Sequence, residues 1–374
     1  MHPISVMIKP SSSGCNLRCR YCFYADEASL RTIPNYGFMT PELLEQAIPF
    51  FMNAAEGSCS FMFQGGEPTL AGLDFFRKVV SLQKQYARPD LRVTNALQTN
   101  GMLLDEAWCS FLAENHFLVG LSLDGIKSTH DCYRLRPDGK GSYAAVLRAA
   151  QRMQSHKVDF NILTVVTAPL AQNVTKVYNF YKRNNWLHQQ YIPCMDPLDA
   201  QRGGNGYSLT PQAYTAFLKK LFDLWYQDFA QGFIVSIRYF DNLLRMMNGI
   251  PPESCAMTGH CNVQYLVEAD GSVFPCDFYA MDGYCLGNLK TDTIQQLDEQ
   301  RHAIGFVETS LELTRRCAGC KWYALCRGGC RRDYTSGEYS HNYYCESYQA
   351  FFEYAYPRLL QVADFCRQRN LFRG

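Results

Sequence analysis

Several features are scarce or missing in this sequence, and each absence narrows its function. No uninterrupted apolar stretch reaches the roughly 18 residues that a membrane-spanning helix needs. Residues 1–13 lack the basic start, long apolar middle and small-residue cleavage site of a secretory signal. We therefore expect a cytoplasmic protein without a membrane partner.

The chain also lacks an excess of positive or negative charge. The chain carries 36 Lys and Arg against 35 Asp and Glu, a formal net charge of +1. No global field attracts nucleic acid or an anionic membrane, so we expect neither partner, and a partner must be recognised locally. With 374 residues, 47% of them hydrophobic and 19% charged, the chain is long enough to bury a sizeable core.

Cysteine, by contrast, is abundant, with 17 residues in the chain. Disulfides are rare in the reducing cytoplasm, so metal binding or catalysis is the better interpretation. Isolated cysteines are interpreted instead as small buried hydrophobes. These are Cys59, Cys109, Cys132, Cys194, Cys285 and Cys366, and the other eleven fall into two clusters.

The first cluster contains Cys15, Cys19 and Cys22, spaced C-x3-C-x2-C. A closed zinc site takes four protein ligands. A cubane iron–sulfur cluster takes one ligand per iron, so three cysteines leave one iron open. An open iron can bind a substrate or a cofactor.

This motif, with the aromatic Tyr21 before its last cysteine, resembles the signature of the radical S-adenosylmethionine (SAM) superfamily. Gln64-Gly65-Gly66-Glu67-Pro68 follows the strand-like run Cys59–Phe63 and resembles the glycine-rich loop that meets the SAM amino group in that superfamily. Glycines there let the backbone approach a ligand closely. The resemblance implies a [4Fe-4S] cluster and SAM as cofactors.

Strand-like and helix-like segments alternate along the first part of the chain, which favours parallel βα units. The predicted strands are Ser5–Lys9, Cys59–Phe63, Val93–Gln98, Leu118–Leu123, Phe160–Val166 and Gln190–Pro193. The predicted helices are Pro41–Ala54, Asp74–Tyr86, Ala107–Glu114, Tyr143–Ser155, Val174–Asn184 and the connecting helix Pro211–Gln231. Six units match the partial (β/α)6 radical SAM barrel that the resemblance implies, an α/β fold. We expect the barrel and connecting helix in residues 1–235 and a cysteine-rich domain in residues 236–374.

Chemistry in parallel barrels gathers at the C-terminal ends of the strands. The predicted SAM contacts, taken from the resemblance and from these strand ends, are Tyr24, Gln64, Gly65, Gly66, Glu67, Ser122, Asp124, Arg134 and Met195. A guanidinium suits the SAM carboxylate because it can bind it bidentately. By resemblance we prefer Arg134 to Arg136 for this role.

The second cysteine cluster resembles the SPASM extension of radical SAM enzymes, with Cys261 and Cys276 flanking Gly271 and a C-x2-C-x5-C-x3-C run farther on. The resemblance implies two fully ligated auxiliary [4Fe-4S] clusters, which makes three clusters in all. The nearer one is held by Cys255, Cys261, Cys276 and Cys330, and the outer one by Cys317, Cys320, Cys326 and Cys345. Such clusters carry electrons and stabilise the fold. Zinc knuckles remain the structural alternative, because C-x2-C pairs also suit zinc.

Asp277 stands directly after Cys276, beyond a hairpin turn predicted at Glu268–Ser272. Without context this carboxylate is as well explained as a structural cap. The motifs around and beyond it resemble the anaerobic sulfatase-maturating enzymes from Ile8 to beyond Pro357, and the Asp matching Asp277 is the substrate's base in that family. The motifs are CDFY, GGEPTLAG, IRYFD and NYYC.

The resemblance implies a complete reaction. A 5′-deoxyadenosyl radical takes a Cβ hydrogen from a Cys or Ser in an unfolded sulfatase peptide, in which Pro or Ala follows two positions later and Arg two beyond that. Asp277 takes the thiol or hydroxyl proton, the nearer auxiliary cluster accepts an electron, and the product becomes Cα-formylglycine. Flavodoxin or ferredoxin is the implied electron donor, in an anaerobic organism.

Two other interpretations stay open. A SPASM-type peptide cyclase forming thioether or carbon–carbon bonds would use the same clusters, although such enzymes usually have an N-terminal extension and we expect no room for one before Cys15. An electron carrier or zinc scaffold would explain the cysteines. It would not explain the Gly65-Gly66-Glu67 loop or the six βα units.

Overall fold

The computed structural model describes residues 3–198, 200–335, 340–369 and 371. The chain forms two compact units that interleave along the sequence. The first unit comprises Met1–Leu123, His130–Asn161 and Val263–Ile304, and the second comprises Asp124–Thr129, Ile162–Asn262 and Gly305–Gly374. Each unit therefore draws residues from both sides of the expected boundary at 235, and that boundary stays a prediction.

All six predicted strands are present, with ends within two residues of those expected. The strands in chain order are β1 (Ile4–Ile8), β2 (Arg18–Cys19), β3 (Ser58–Phe63), β4 (Arg92–Thr99), β5 (Leu118–Ser122), β6 (Arg134–Leu135), β7 (Phe160–Val166), β8 (His188–Pro193), β9 (Ser236–Ile237), β10 (Tyr265–Val267), β11 (Ser272–Phe274) and β12 (Gly287–Asn288).

The predicted helices are also present, each within one residue of its expected ends. The helices in chain order are α1 (Phe23–Ser29), α2 (Pro41–Ala54), α3 (Leu73–Gln85), α4 (Glu106–Glu114), α5 (Lys127–His130), α6 (Tyr143–Ser155), α7 (Ala168–Gln172), α8 (Val174–Arg183), α9 (Pro211–Ala230), α10 (Arg238–Met247), α11 (Ile294–Ala303), α12 (Phe306–Thr314), α13 (Tyr323–Cys326) and α14 (Cys345–Gln368). Two of them begin with the same Thr-Pro pair. The hydroxyls of Thr40 and Thr210 accept from backbone N–H groups of the first turn of α2 and α9, and proline follows at the first helical position.

The sheet of the first unit has the strand order β12-β11-β10-β1-β3-β4-β5. Strands β10, β1, β3, β4 and β5 run parallel. The pair β10 and β11 is antiparallel, which confirms the hairpin predicted around Glu268–Ser272. Parallel strands are covered on both faces and are therefore apolar, as the buried neighbours Val6 and Met7 of β1 illustrate.

The ends of these strands bring polar residues to one edge of the sheet. Lys9 follows β1, Gln64 follows β3 and Asn100 follows β4. A second, two-stranded ladder pairs β2 with β6 and sets Cys19 opposite Arg134. The first unit thus carries the predicted cluster loop and several predicted SAM contacts.

The second unit contains the parallel strands β7, β8 and β9 and the long helices α9 and α14. The two helices pack through aromatic rings, with Phe222 and Phe351 at 5.8 Å between ring centroids. Trp225 of α9 is buried and donates its indole N–H to Val235 O at 2.9 Å, so its side chain serves packing. Among the described residues, no helix combines the length and apolar character that crossing a bilayer demands.

The six isolated cysteines differ in how deeply they are buried. Cys59, Cys109, Cys194 and Cys366 are buried, as their interpretation as small hydrophobes requires, and Cys285 is half-buried. Cys132 is exposed, so that interpretation is wrong for it. It lies between α5 and β6, where the neighbouring residues Tyr133 and Arg134 occupy the buried positions.

Candidate active site

The first three cysteines lie in the connection from β1 to α1. Cys15 is in the loop, Cys19 in β2, and Cys22 directly before α1. The Leu17 N–H donates to Cys15 Sγ at 3.4 Å, and the Asn100 amide donates to the same sulfur at 3.7 Å. Burial raises the pKa of Cys15 to about 11, against these two donors. A thiolate is disfavoured there unless a cation compensates its charge, which suits a ligand to iron.

The glycine-rich loop lies directly against the cluster loop. Gly65 and Gly66 have φ of +96° and +55°, a region that L side chains rarely adopt. A Cβ on Gly66 would stand 2.3 Å from Gly14 O, and one on Gly65 would stand 2.5 Å from Lys9 Cγ. The Glu67 N–H donates to Gly14 O at 2.8 Å. The two loops therefore form one close-packed backbone cradle that excludes side chains.

The Glu67 carboxylate forms its hydrogen bonds with other groups of the chain. It is 1% exposed and accepts from Thr69 Oγ1 at 2.6 Å, Thr99 Oγ1 at 2.7 Å and the Asn100 N–H at 2.7 Å. Burial raises its pKa despite these donors. The side chain therefore anchors the glycine-rich loop to the end of β4, and the loop backbone is left to face a ligand.

The structure separates the two arginines considered for the SAM carboxylate. Arg134 is buried, lies opposite Cys19 in the ladder and stacks over the Tyr21 ring at 5.4 Å. Arg136 is half-exposed and faces Asp138 at 3.8 Å. The preferred Arg134 is therefore the one beside the cluster cysteines.

The remaining predicted SAM contacts are divided between the units. Ser122 in the first unit accepts from the Gln98 amide at 3.0 Å. Asp124 and Met195 belong to the second unit. The Asp124 carboxylate accepts from the Val165 N–H at 2.9 Å, and Met195 is half-buried in the loop after β8.

Asp277 is held at the centre of a polar triad in the first unit. Its Oδ2 accepts from Tyr24 Oη at 3.2 Å and from Gln64 Nε2 at 3.1 Å, and Gln64 Nε2 lies 2.5 Å from Tyr24 Oη. Asp277 Oδ1 is 3.6 Å from Cys276 Sγ. Asp277 is 8% exposed, and burial raises its pKa although Tyr24 donates to it. Three residues from separate parts of the sequence thus meet at one carboxylate.

Two residues of this region are not among the predicted SAM contacts. Lys9 is fully buried, with its Nζ 2.6 Å from Glu268 Oε1 and 5.1 Å from the Tyr24 ring centroid. Asn100 contacts Cys15 as described above. A lone Lys after an apolar strand and an Asn before Gly do not by themselves indicate a site.

The later cysteines fall into two sets by their mutual electrostatic influence. The pKa of Cys330 is raised, first by burial and then by nearby groups that include Cys255 and Cys261. The pKa of Cys326 is raised to about 12, first by burial and then by the nearby Cys345, Cys317 and Cys320. Cys276 lies in the first unit beside Asp277. Cys330 therefore lies near Cys255 and Cys261, and Cys326 lies near Cys345, Cys317 and Cys320, while the two complete ligand sets stay a prediction.

In the part of the chain that the structure describes, no three His, Cys, Asp or Glu side chains converge on a position for a single metal ion.

Comparison with known proteins agrees with this geometry. The family model of the radical SAM superfamily matches residues 10–175, and that of the SPASM iron–sulfur cluster-binding domain matches residues 255–321. The chain is 49% identical to the cysteine-type anaerobic sulfatase-maturating enzyme of Clostridium perfringens, over 97% of this chain and 99% of that protein. It is 32% identical to the serine-type enzyme of Bacteroides thetaiotaomicron, over 95% of this chain and 90% of that protein.

Solved structures give the same result. The structure of anSMEcpe with bound AdoMet and the Cp18Cys peptide superposes with a TM-score of 0.91 at 49% identity, covering 97% of this chain and 99% of that one. Streptococcus suis SuiB bound to its precursor peptide reaches a TM-score of 0.58 at 16% identity, covering 88% and 72%, which shows a shared fold alone. The predicted α/β fold of a radical SAM domain followed by a SPASM domain is confirmed, and the chain belongs to the anaerobic sulfatase-maturating enzymes of the radical SAM superfamily.

Proposed function

We propose that this chain oxidises a cysteine in an unfolded sulfatase segment to Cα-formylglycine, with Asp277 as the base. The observation that carries the proposal is the buried carboxylate of Asp277, held by Tyr24 and Gln64 next to a cysteine of the auxiliary set. A base must lie where the proton leaves and must be correctly oriented, and two donors on one oxygen provide that orientation.

The residues that would hold the cofactors are the cysteines and the cradle described above. Cys15, Cys19 and Cys22 would hold the cluster that binds SAM, and the two later sets would hold the auxiliary clusters. The cradle of Gly65 and Gly66, with Arg134 beside Cys19, would bind the amino and carboxylate groups of SAM. When bound, SAM and the clusters supply a 5′-deoxyadenosyl radical and a path for one electron.

The chain's own contribution to the proton transfer can be assigned to an atom. Oδ2 of Asp277 already accepts from Tyr24 and Gln64. Oδ1 faces Cys276 Sγ, and a cysteine that ligates iron is a thiolate without a proton to donate. Oδ1 is therefore the oxygen available to take the substrate's proton. Burial around Asp277 keeps water from competing for it.

Cysteine rather than serine is the proposed target. The cysteine-type relatives are 49% and 44% identical to this chain, and the serine-type relatives 32% and 30%. A thiol is also far more acidic than an alcohol, so a single carboxylate removes its proton more readily. We further propose a one-electron carrier such as flavodoxin or ferredoxin as partner, and the cytoplasm of an anaerobe as location, because such clusters need reducing conditions.

The test is anaerobic incubation of the reconstituted protein with SAM, dithionite and a peptide whose Cys is followed by Pro at the second position and Arg at the fourth. We expect 5′-deoxyadenosine, loss of sulfur from the peptide and a hydrazine-reactive aldehyde, with deuterium transferred from a Cβ-labelled Cys. The matched Ser peptide should react more slowly. A variant with Cys15, Cys19 and Cys22 changed to Ala should cleave no SAM.

Two outcomes would contradict the proposal. Label transfer with a thioether crosslink and no aldehyde would identify a peptide cyclase. SAM cleavage without label transfer across several such peptides would leave the superfamily assignment intact and remove the proposed substrate.

A further inference from the structure

The loop that carries Met195 is held by an unusually polar, buried network. This loop joins β8 to α9 and comprises the described residues 194–198 and 200–210. Within it, Asp196 is buried and accepts from Ser208 Oγ, from the Gly203 N–H at 2.9 Å and from the Asn205 amide at 3.3 Å. The carboxylate therefore fixes the shape of the loop from inside.

The same loop is tied to the cysteine-rich segment of its own unit through backbone carbonyls. The Tyr344 hydroxyl lies 3.1 Å from Cys194 O and 3.3 Å from Leu209 O, so its single proton is shared between the two ends of the loop. Arg332 Nη2 donates to Asp196 O at 3.0 Å. Met195 lies between the two residues whose carbonyls are held.

A return contact from the loop strengthens the connection. Arg202 Nη2 donates to Arg332 O at 2.6 Å, and its guanidinium faces Asp333 at 3.9 Å and the Tyr343 ring at 5.1 Å. Arg332 and Tyr344 are 6% and 1% exposed. Buried donors that lose their acceptors are costly, so this arrangement favours one position of the loop.

The two donors that reach the loop stand next to cysteines of different sets. Arg332 is two residues after Cys330, and its own N–H lies 3.4 Å from Cys330 Sγ. Tyr344 directly precedes Cys345. The backbone that presents each donor is therefore the backbone that would be anchored by an auxiliary cluster.

We propose that Arg332 and Tyr344 are positioning residues for SAM binding: they hold the β8–α9 loop by its carbonyls, so that ligation at Cys330 and Cys345 fixes the placement of Met195. This inference rests on the proposed function for the role of Met195. It gives the cysteine-rich domain a second task beside electron transfer.

The mildest test is Tyr344→Phe, which removes one hydroxyl and keeps the ring. We expect faster hydrogen exchange in the backbone of residues 194–198 and 200–210, and a SAM dissociation constant and KM raised by about two- to tenfold, the range for one lost hydrogen bond. The kcat at saturating SAM, the iron content and the spectroscopic signatures of the auxiliary clusters should stay near wild type. SAM binding and exchange are measured on the holoenzyme without peptide, so their outcome does not depend on the sulfatase reaction.

Tyr343→Phe is the matched control. Tyr343 is the neighbouring residue, and phenylalanine at this position keeps the ring that faces the Arg202 guanidinium. Its loss should change neither exchange nor KM. At Arg332, replacement by Met should repeat the Tyr344→Phe effect more strongly, and replacement by Lys should partly restore wild-type values, because one donor is retained.

Unchanged loop exchange and unchanged SAM affinity in both Tyr344→Phe and Arg332→Met would overturn the proposal. A lowered kcat at unchanged KM, with altered auxiliary-cluster spectra, would also overturn it, because it would assign these residues to electron transfer. Normal SAM binding in wild type without aldehyde formation would contradict the proposed function and leave this inference standing.

Discussion

Asp277 shows how much a single side chain depends on its neighbours. Tyr24 and Gln64 both point at Oδ2, while Oδ1 faces the sulfur of Cys276. The two oxygens of one carboxylate therefore have different surroundings. Orientation is set at one oxygen, and proton transfer is proposed at the other.

Asp277→Asn tests this assignment, because the amide has nearly the same volume and cannot accept the proton. We expect SAM cleavage to 5′-deoxyadenosine to continue and aldehyde formation to fall by about 10²-fold or more, as expected for loss of a general base. The measurement is the ratio of aldehyde to 5′-deoxyadenosine in single-turnover reactions. A normal ratio would reduce Asp277 to a structural residue.

The sequence indicated which residues belong to the candidate site only where a recognisable motif surrounded them. Asp277 follows a predicted cluster cysteine, and Arg134 lies in a recognisable run, so both were selected as site residues, and their roles stay predictions. Lys9 and Asn100 were not, because a lone Lys after a strand and an Asn-Gly pair are common at any turn. Their roles arise from chain segments far away in sequence, Glu268 for Lys9 and Cys15 for Asn100.

Several elements of the first unit are joined by one buried carboxylate. Glu268, in the turn between β10 and β11, contacts Lys9 after β1 and Arg31 after α1, each at 2.6 Å. All three side chains are fully buried. The helices and strands were predictable from apolar periodicity. Such a charge group is not, because each of its members alone has the sequence appearance of a surface residue.

Glu268→Gln should leave Lys9 and Arg31 buried without a countercharge. We expect it to lower the free energy of unfolding by about 3–5 kcal/mol, as for removal of one partner from a buried ion pair. Anaerobic urea denaturation of the holoprotein measures this. Glu253→Gln is the control, because Glu253 is 57% exposed and pairs with Arg245 at 3.7 Å, and it should change stability by less than about 1 kcal/mol. Equal effects would contradict the special role of the buried group.

The same group predicts a pH dependence with a definite sign. Burial alone would raise the pKa of Glu268, but Lys9 and Arg31 outweigh it and hold this pKa below its ordinary value. The group's stabilisation is therefore complete above the unfolded-state value of about 4.3 and is lost as pH falls through the lower folded-state value. Glu268→Gln should lack this acid-sensitive component.

At the scale of the whole molecule, the net charge is near zero, but the charged residues are unevenly distributed along the chain. Residues 313–332, around three outer-set cysteines, contain Arg315, Arg316, Lys321, Arg327, Arg331 and Arg332 and no Asp or Glu. Arg315 and Arg316 are exposed and precede Cys317, while Lys321 pairs with Glu353 at 3.0 Å. For the electron carrier proposed above, these exposed arginines predict an acidic surface that binds at this segment.

Reversing the charge of the two exposed arginines tests whether they bind the acidic carrier. Arg315→Glu with Arg316→Glu should weaken binding of a purified acidic bacterial ferredoxin by about tenfold or more at low salt and flatten its ionic-strength dependence. Lys176→Glu with Lys220→Glu makes the same change of net charge at exposed sites elsewhere in the second unit and should have little effect. Equal losses in the two double variants would show that only net charge matters.

The domain order along the chain was predictable at this scale, because both cysteine patterns have distinctive spacing. The interleaving of the two units was not, because it depends on which distant strands pair. Strand β10 joins β1 in parallel although more than two hundred residues separate them.

That pairing has a practical consequence for anyone wishing to isolate the barrel. A polypeptide cut at residue 235 would leave β1 as an open edge strand, with its unpaired N–H and C=O groups available to another molecule. The cut would also remove Glu268, so the buried Lys9 ammonium would lose its countercharge. Such a fragment is prone to aggregation, so a minimal barrel would have to retain the hairpin through a redesigned linker or be circularly permuted.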